Sequence, residues 1–349
     1  MPVKKVLNEV DLSKVRDWLE RTGKKILVYH RDADGVCSAA ILMKFFPEFA
    51  SIPREGPIID KKFFRRIVSE KPEVLVFLDM PIDQEWEKVR DFAKELPGLS
   101  ILIIDHHMPE KDMNSERIIH INPRFLKSEY YIPASCVIYE LLRRLGYSVK
   151  PYCWISLTGI IGDYGTKDCE WMFRECLEDL GILHCKLVRA SEIISSAITL
   201  KGLKGCEKAL ELLLKSERYE DFEKSRELKK WNEIVQKEVR RIVNDFEKRK
   251  EVFEKERLIL YEIKSRMNIT SVTGTVTAEK HPEDIVIIRK KSGNLWKISL
   301  RYQSGKLNVG DLAKHASKGI GSGGGHIKSA GALVNNWEEF RKRVFEYLK

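Results

Sequence analysis

The sequence contains no long apolar segment. None of its apolar runs approaches the roughly 20 residues that a membrane-spanning helix needs. Residues 1–5, Met-Pro-Val-Lys-Lys, lack the apolar core of a secretory signal. These absences lead us to expect a cytoplasmic protein that makes no membrane contact.

Cysteine is scarce and irregularly spaced. The chain has seven cysteines, an odd number, and an intracellular chain of this kind is not expected to carry a full disulfide framework. The spacing of the candidate zinc ligands does not match a compact Cys-x₂-Cys knuckle, so free buried cysteines are favoured over a structural zinc site. These candidate ligands are Cys169, Cys176, His184, Cys185 and Cys206.

The sequence also lacks an internal repeat and the composition of a disordered protein. Its 43% hydrophobic and 33% charged residues are typical of a soluble globular protein, and 349 residues are enough for two domains. The 62 Lys and Arg exceed the 52 Asp and Glu, which gives a net charge of +10. This excess favours a polyanionic partner, but soluble proteins of other kinds share it, so it does not by itself indicate nucleic acid.

Short apolar runs alternate with helical patterns over the first half of the chain. Runs that are apolar on both faces belong to buried parallel strands, and the alternation predicts a parallel sheet with helices on both faces. Ligands of such sheets bind beyond the carboxyl ends of the strands. The predicted strands are residues 26–29, 74–78 and 101–104, the predicted helices are residues 36–42, 62–69, 84–95 and 135–145, and residues 152–161 form a helix or a strand.

Carboxylate and imidazole side chains follow several of these apolar segments. In isolation, Asp32 and Asp34 fit a helix cap as well as a metal site, but the repetition at four segment ends favours metal. Two divalent ions about 3.5–4 Å apart need such a set of ligands, and mixed carboxylate and imidazole ligands suit Mn²⁺ better than Mg²⁺, with Co²⁺ as a further alternative. The candidate residues are His30, Asp32, Asp34, Asp79, His106, His107 and Asp163.

The second half of the chain has a different pattern of apolar and charged residues. Residues 216–257 balance opposite charges and keep apolar residues at helical spacing, which favours a connecting amphipathic helix over a basic nucleic-acid-binding helix. Beyond it, we predict a smaller α/β domain. Its predicted strands are residues 258–263, 271–276, 285–288 and 295–301, followed by a helix at 309–316, a glycine-rich loop at 319–326 and a terminal helix.

The predicted fold class is therefore α/β, with a parallel-sheet domain at residues 1–210, a connecting helix at 211–256 and a C-terminal domain at 257–349. In the last of these, Gly323, Gly324 and Gly325 can bring backbone N–H groups close to an anion, and His326 adds a donor. Arg301 can bind a phosphate through two N–H groups. These residues form a candidate phosphate-binding position, although a glycine-rich turn taken by itself is more often a flexible loop.

The order of the polar motifs resembles the DHH phosphoesterase superfamily. In the C-terminal domain, Gly-Gly-Gly-His at 323–326 follows Ile-Ser-Leu-Arg at 298–301 and is similar to the domain that accompanies the RecJ-like branch, as found in archaea. The resemblance spans nearly the whole chain. The motifs of the first domain that carry it are His-x-Asp-Ala-Asp-Gly at 30–35, Leu-Asp-Met-Pro at 78–81, Asp-His-His at 105–107 and Gly-Asp at 162–163.

The resemblance implies a role for each residue of the first motifs. Asp32 and Asp34 would bind metal, with one on each ion, and His30 stands where members of the superfamily carry either His or Asp. Asp79 would bridge the two ions. Both carboxylates of the opening motif would then serve a metal centre as well as a helix.

The later motifs carry further implied roles. His106 would be a metal ligand oriented by Asp105 behind it, and His107 would lie against the substrate phosphate. Asp163 would complete the second metal site. Asn122 and Ser135 would lie near the substrate pocket, although a loop Asn and a helix-capping Ser explain these residues equally well.

The resemblance implies a function as well. The two domains would hold a single strand of DNA or RNA between them, and water activated by two metal ions would release mononucleotides. Such an exonuclease would act in DNA replication or repair and partner with a protein such as a helicase. The alternatives are a phosphodiesterase or phosphatase for small substrates (oligoribonucleotides, cyclic dinucleotides or nucleotide phosphates) and a catalytically inactive replication scaffold.

Overall fold

The computed structural model describes residues 2–127 and 129–349. They form two compact units, Met1–Asn232 and Glu233–Lys349. Each unit contains its own cluster of buried apolar side chains. None of the helices in these two ranges is long and apolar enough to cross a membrane.

The first unit is built on a five-stranded sheet in which every neighbouring pair is parallel. The strands follow the spatial order β2-β1-β3-β4-β5. Two of them, β2 and β5, were not predicted, because β2 carries Pro53 and β5 is only four residues long and carries His120. The strands are β1 (Lys25–His30), β2 (Ala50–Arg54), β3 (Val74–Leu78), β4 (Ser100–Ile104) and β5 (Ile118–Ile121).

Helices cover both faces of this sheet. Leu27 and Tyr29 of β1 join a buried cluster with α3, α6 and α7, while Ile26 and Val28 join a second cluster with α4 and α5. The predicted fold class is therefore confirmed. The helices are α1 (Pro2–Asn8), α2 (Leu12–Glu20), α3 (Ala33–Phe45), α4 (Lys61–Glu70), α5 (Trp86–Glu95), α6 (Ala134–Arg144), α7 (Cys153–Gly162), α8 (Glu170–Leu180), α9 (His184–Lys201), α10 (Leu203–Lys215) and α11 (Tyr219–Glu223).

The segment predicted as one connecting helix, residues 211–256, contains several elements. It begins with the end of α10, continues through α11 and α12 (Arg226–Arg249), and ends in the first strand of the second unit, β6 (Glu251–Phe253). The long amphipathic helix is present but shorter than predicted. The two units divide at Asn232, within α12.

A mixed six-stranded sheet forms the second unit, in the order β10-β11-β9-β8-β7-β6. Helices α14 and α15 pack against one face of it around Leu300 and Phe340. The remaining elements are β7 (Leu258–Glu262), α13 (Thr270–Lys280), β8 (Ile285–Ser292), β9 (Leu295–Arg301), α14 (Val309–Ser317), β10 (Gly321–Gly325), β11 (Ser329–Val334) and α15 (Trp337–Tyr347).

Two expectations for this unit are wrong. Residues 271–276 lie in α13 and not in a strand, although their alternating Thr and Val residues favour β structure. Inside the helix, the Thr277 hydroxyl donates to the Thr273 carbonyl (2.8 Å), and Gly274 lies close to Ser299 of β9. The predicted glycine-rich loop contains strand β10, which pairs with β11.

Candidate metal centre and anion-binding face

The turn after β1 serves as both a helix cap and part of a polar cluster. Asp32 is the N-cap of α3, and its Oδ1 accepts a hydrogen bond from Gly35 N (2.9 Å). Its Oδ2 lies 2.7 Å from Nδ1 of His30. A Cβ at Gly35 would overlap the His30 carbonyl oxygen, so the turn requires glycine there.

Asp34 is fully buried and accepts three hydrogen bonds from the start of α6. Its donors are Ala134 N (2.7 Å), Ser135 N (3.1 Å) and the Ser135 hydroxyl. The positive end of a helix and three donors hold a buried carboxylate in one orientation. Ser135 was expected to cap α6, but the helix begins at Ala134 and Pro133 occupies the N-cap position. Ser135 instead positions Asp34.

Asp79 follows β3 directly and has a left-handed backbone, φ 59°. Its side chain is 1% exposed, yet neither carboxylate oxygen has a hydrogen-bond partner within residues 2–127 and 129–349. Its Oδ1 lies 3.1 Å from His106 Nε2, and its Oδ2 lies 3.5 Å from His30 Nδ1. A strained, buried carboxylate without donors needs a cation nearby.

The Asp-His-His motif follows β4 and differs from the implied arrangement in one respect. The Asp105 carboxylate pairs with Nδ1 of His107 (2.8 Å), so Asp105 does not orient His106 as was expected. In extended backbone, side chains two residues apart lie on the same side and those one residue apart on opposite sides. His106 Nε2 consequently faces Asp79 and Asp163, the latter at 3.3 Å.

Asp163 caps the carboxyl end of α7 and is held by a residue that the sequence did not single out. The Tyr131 hydroxyl donates to Asp163 Oδ2 (2.8 Å), and the Tyr131 ring meets the His106 ring edge-on. Arg124 lies over the same tyrosine ring and donates through Nε to the His106 carbonyl (2.6 Å). Arg124 lies in a single 3-10 turn, Pro123–Phe125, and Tyr131 in the loop before α6. Neither has a periodic pattern around it, so only their position between two motifs could have indicated them.

The strand ends bring the ligand atoms of these side chains together. Three groups of three residues have ligand atoms that all lie within 4.8 Å of one another. Asp79 belongs to two of the groups and His106 to two, so the groups form one continuous cluster. They are His30, Asp32 and Asp79; Asp34, His106 and Asp163; and Asp79, His106 and His107.

The buried carboxylates of this cluster lie close together, and their negative charges are not fully balanced by nearby positive charge. Burial and the charge of Asp79 raise the pKa of Asp34 to about 7, while burial and Asp32 raise the pKa of Asp79 to about 7. Burial and Asp34 raise the pKa of Asp163 well above its ordinary value. Together with the unpartnered oxygens of Asp79, these shifts show that the residues fit divalent cations, which would neutralise them.

The two histidines of the motif have opposite protonation preferences. Burial and the neighbouring His107 lower the pKa of His106 to about 4, and a neutral imidazole is the form that binds a metal. Burial opposes charge on His107 as well, but the Asp105 carboxylate outweighs it and raises the pKa of His107 to about 9. At neutral pH, His107 is therefore a cation beside the carboxylate cluster.

In the second unit, Arg301 lies at the carboxyl end of β9 and is 8% exposed. Its Nη2 donates to the Ser271 hydroxyl (2.6 Å) and its Nε to Thr275 Oγ1 (3.1 Å). These contacts fix the guanidinium against the first turns of α13. The phosphate contact expected of Arg301 stays a prediction.

The three glycines lie in β10 and differ in their surroundings. A Cβ at Gly323 would meet Ala313 of α14, whereas Gly324 has open space where a side chain would be. Gly325 has a positive φ, 147°, and leads to exposed His326. The predicted cradle is thus the end of a strand, and Gly324 alone of the three is unobstructed.

The cysteines form no metal site in the part of the chain that is described. All seven are free there, and only Cys185 is exposed. No cysteine belongs to a group of side chains close enough to hold an ion among these residues.

Two family models match the chain. The DHH family N-terminal domain matches residues 24–160, and the DHHA1 domain matches residues 258–349. No curated protein matches the chain. Together with the site, these matches define a metal-dependent phosphoesterase. The chain belongs to the DHH superfamily and is RecJ-like in its architecture, which confirms the resemblance drawn from the motifs.

Solved structures share this fold at low sequence identity. RecJ from Thermus thermophilus in complex with Mn²⁺ has a TM-score of 0.73 and 16% identity, over 99% of this chain and 54% of that one. The chain therefore spans about half the length of that RecJ. The DHH domain of a member of the s1p family of ribosomal proteins scores 0.77 at 15% identity, over 99% and 91% of the two chains. An exopolyphosphatase-related protein from Bacteroides fragilis scores 0.61 at 15% identity, over 97% and 96%.

Proposed function

We propose that the protein is a Mn²⁺-dependent exonuclease that hydrolyses single-stranded nucleic acid to mononucleotides. The observation that carries the proposal is the cluster of buried carboxylates and imidazoles with two distinct three-residue groups joined through Asp79 and His106. Phosphodiester hydrolysis by two ions uses such a pair of adjoining sites. Mixed oxygen and nitrogen ligands favour Mn²⁺, with Mg²⁺ and Co²⁺ as alternatives.

We assign one ion to each group. His30, Asp32 and Asp79 would hold the first, and Asp34, His106 and Asp163 the second, because these are the two groups that share no residue. Asp79 Oδ1 lies 3.1 Å from His106 Nε2, which supports its role as the bridge. Bound ions would neutralise the phosphate and lower the pKa of the attacking water.

The remaining polar residues of the centre act on the substrate or on a ligand. His107 is protonated at neutral pH and offers its Nε2 proton to a phosphate oxygen, because its Nδ1 is engaged by Asp105. Asp105 is then a positioning residue for His107. Tyr131 and Ser135 are positioning residues for Asp163 and Asp34, respectively.

The charge distribution supports a long polyanion over a small substrate. The segment Glu233–Lys349 contains 24 Lys and Arg against 15 Asp and Glu, so it carries nine of the ten excess positive charges. Such an excess raises the affinity for every phosphate along a strand. Arg301, Gly323, Gly324, Gly325 and His326 would contact the nucleotide phosphate there. We further propose that the protein acts in the cytoplasm, in DNA replication or repair, together with a protein partner such as a helicase.

Substrate length tests the proposal. Single-stranded DNA and RNA of several lengths, labelled at either end, are digested with Mn²⁺ and the products are resolved. An exonuclease releases mononucleotides from long strands and slows as salt rises. Cleavage limited to strands of a few nucleotides indicates the small-substrate phosphodiesterase, and no cleavage with any divalent ion indicates the inactive scaffold.

Variants of the centre test the assignment of residues. His106→Ala and Asp163→Ala are each expected to lower the rate by at least about 100-fold, in line with loss of a metal ligand or its support. Asp91→Ala is a matched control, because Asp91 is an exposed carboxylate on α5 outside the cluster. Unchanged activity in the His106 and Asp163 variants would contradict the proposed chemistry.

A further inference from the structure

Tyr164 directly follows the proposed metal ligand Asp163 and has an unusual backbone. Its φ is 57°, in the left-handed region that a bulky residue rarely adopts. Among residues 2–127 and 129–349, the other non-glycine residues with a positive φ are Lys71, Asp79 and Arg257, none of them aromatic. Such a backbone costs stability and persists where the surrounding structure enforces it, most often at functional sites. The tyrosine at this position therefore calls for an explanation.

The end of α7 enforces this backbone. Tyr164 N donates to the Ile161 carbonyl (3.1 Å), and Gly165 N donates to the Ile160 carbonyl (2.9 Å). These two hydrogen bonds form a Schellman motif, in which glycine usually occupies the left-handed position. Gly165 packs so closely on Pro133 that a Cβ there would overlap the proline ring, so the chain after Tyr164 is also fixed. Glycine would suit this helix end better than tyrosine, so the helix does not explain the side chain.

The Tyr164 side chain has no structural role in the part of the chain that is described. It is 69% exposed. Its hydroxyl makes no hydrogen bond to residues 2–127 and 129–349, and its ring contacts no other aromatic ring or cation among them. An aromatic ring that is exposed and unpartnered, on a backbone that cannot relax, is available to a ligand.

The metal centre opens to solvent next to Tyr164. The Asp163 side chain is 23% exposed, whereas those of Asp79 and His106 are each 1% exposed. Because consecutive Cα atoms are about 3.8 Å apart, Tyr164 lies at this more open side of the centre. A phosphate that reaches the ions must enter from an open side, and the sugar and base attached to it remain outside the cluster.

We propose that Tyr164 is a stacking platform for the base of the nucleotide whose phosphate lies at the metal centre, and that it favours nucleotides over other phosphate esters. Every base has a π-face, so stacking selects a nucleotide without reading which base it carries. Stacking on one aromatic side chain contributes at least about 5-fold to affinity. The inference rests on the proposed function, because it needs a nucleotide substrate.

The binding of thymidine monophosphates tests the inference without hydrolysis. Calorimetry in Mn²⁺ compares thymidine 5′- and 3′-monophosphate with the 5′- and 3′-phosphates of 1,2-dideoxyribose, which lack the base, on full-length protein. Wild type is expected to bind at least one thymidylate about 5-fold or more tightly than its abasic counterpart. Tyr164→Gly is expected to remove this preference without weakening the abasic phosphate, and Tyr164→Phe to keep the preference.

Lys71→Gly is the matched control. Lys71 ends α4 with a left-handed backbone, φ 47°, and precedes β3, at the end of the sheet away from the metal centre. Both glycine variants are expected to unfold at or above the wild-type temperature, because glycine adopts this backbone without strain. Only Tyr164→Gly is expected to change nucleotide binding. If Tyr164→Gly unfolds well below Lys71→Gly, the side chain has a structural role and the inference is overturned.

The binding outcomes separate the inference from the proposed function. Wild type that binds neither thymidylate more tightly than its abasic counterpart overturns the inference, even where it degrades labelled strands. A preference that survives in Tyr164→Gly also overturns it, as does an equal loss of affinity for both ligands, because the side chain then acts through Asp163. Wild type that binds neither thymidylate and degrades no strand overturns both the inference and the proposed function.

Discussion

Replacing Asp79 with Asn is expected to stabilise the metal-free protein. Burial and Asp32 raise the pKa of Asp79 from 3.8 to about 7. A carboxyl whose pKa is raised by folding contributes about 4 kcal/mol of stability below pH 3.8, for a shift of this size. That contribution is lost as pH rises through 7. A buried amide without partners costs about 1–3 kcal/mol, so we expect a net gain of about 2 kcal/mol at pH 8. Asn also tolerates the left-handed backbone at this position.

Asp105→Asn is the matched control, with the opposite expected sign. Burial opposes ionisation of Asp105, but His107 outweighs it and lowers its pKa to about 2. Its contribution is present above pH 3.8 and is lost only as pH falls through 2. Asp105→Asn should therefore cost about 2 kcal/mol throughout pH 5–8. Both substitutions remove a buried carboxylate from the same end of one sheet. A gain in stability for Asp79→Asn and a loss for Asp105→Asn would therefore reflect the local electrostatics of each position.

Thermal unfolding in EDTA at several pH values measures both effects. Asp79→Asn should raise Tm by about 4–8 °C at pH 8, at about 2–4 °C per kcal/mol, and by progressively less toward pH 5. With Mn²⁺ at about 100 times its dissociation constant, wild type should gain about 2.7 kcal/mol and overtake the variant. A metal-free Asp79→Asn protein that is less stable than wild type at pH 8, while Asp105→Asn behaves as expected, would refute the reasoning.

Two further substitutions test positioning and packing. Tyr131→Phe should weaken Mn²⁺ binding by about 10-fold in a calorimetric titration, because it removes a hydrogen bond to a ligand carboxylate, whereas Tyr130→Phe should leave it unchanged. Gly35→Ala should lower the free energy of unfolding by more than about 3 kcal/mol in urea, because its Cβ would overlap the His30 carbonyl; Gly98→Ala, in open space, should change it by less than about 1 kcal/mol.

The strand ends of the first unit were predictable because apolarity on both faces is specific to buried parallel strands. This signal found β1, β3 and β4, and with them the polar residues that follow each strand. It could not find β2, where Pro53 interrupts the pattern, or α13, where tertiary packing overrides the β propensity of Thr and Val. Local sequence predicts an element well only where burial and propensity agree.

Contacts between distant segments were beyond the reach of the sequence. Asp34 is held by the start of α6, 100 residues away, and Asp163 by Tyr131, 32 residues away. The pairing of Asp105 with His107 depends on the direction of the two imidazoles rather than on their order. Each of these contacts decides orientation and pKa, so the ligand types could be predicted while their protonation could not.

Charge is divided unevenly between the two units, and under the proposed function this division would separate strand binding from metal chemistry. The first unit holds the buried carboxylates, yet its 38 Lys and Arg nearly balance its 37 Asp and Glu. The second unit carries almost the whole positive excess. Divalent ions would neutralise the first unit's centre locally, whereas the excess in the second unit attracts phosphates over a Debye length of about 10 Å. Added salt should therefore weaken strand binding much more than it weakens metal binding.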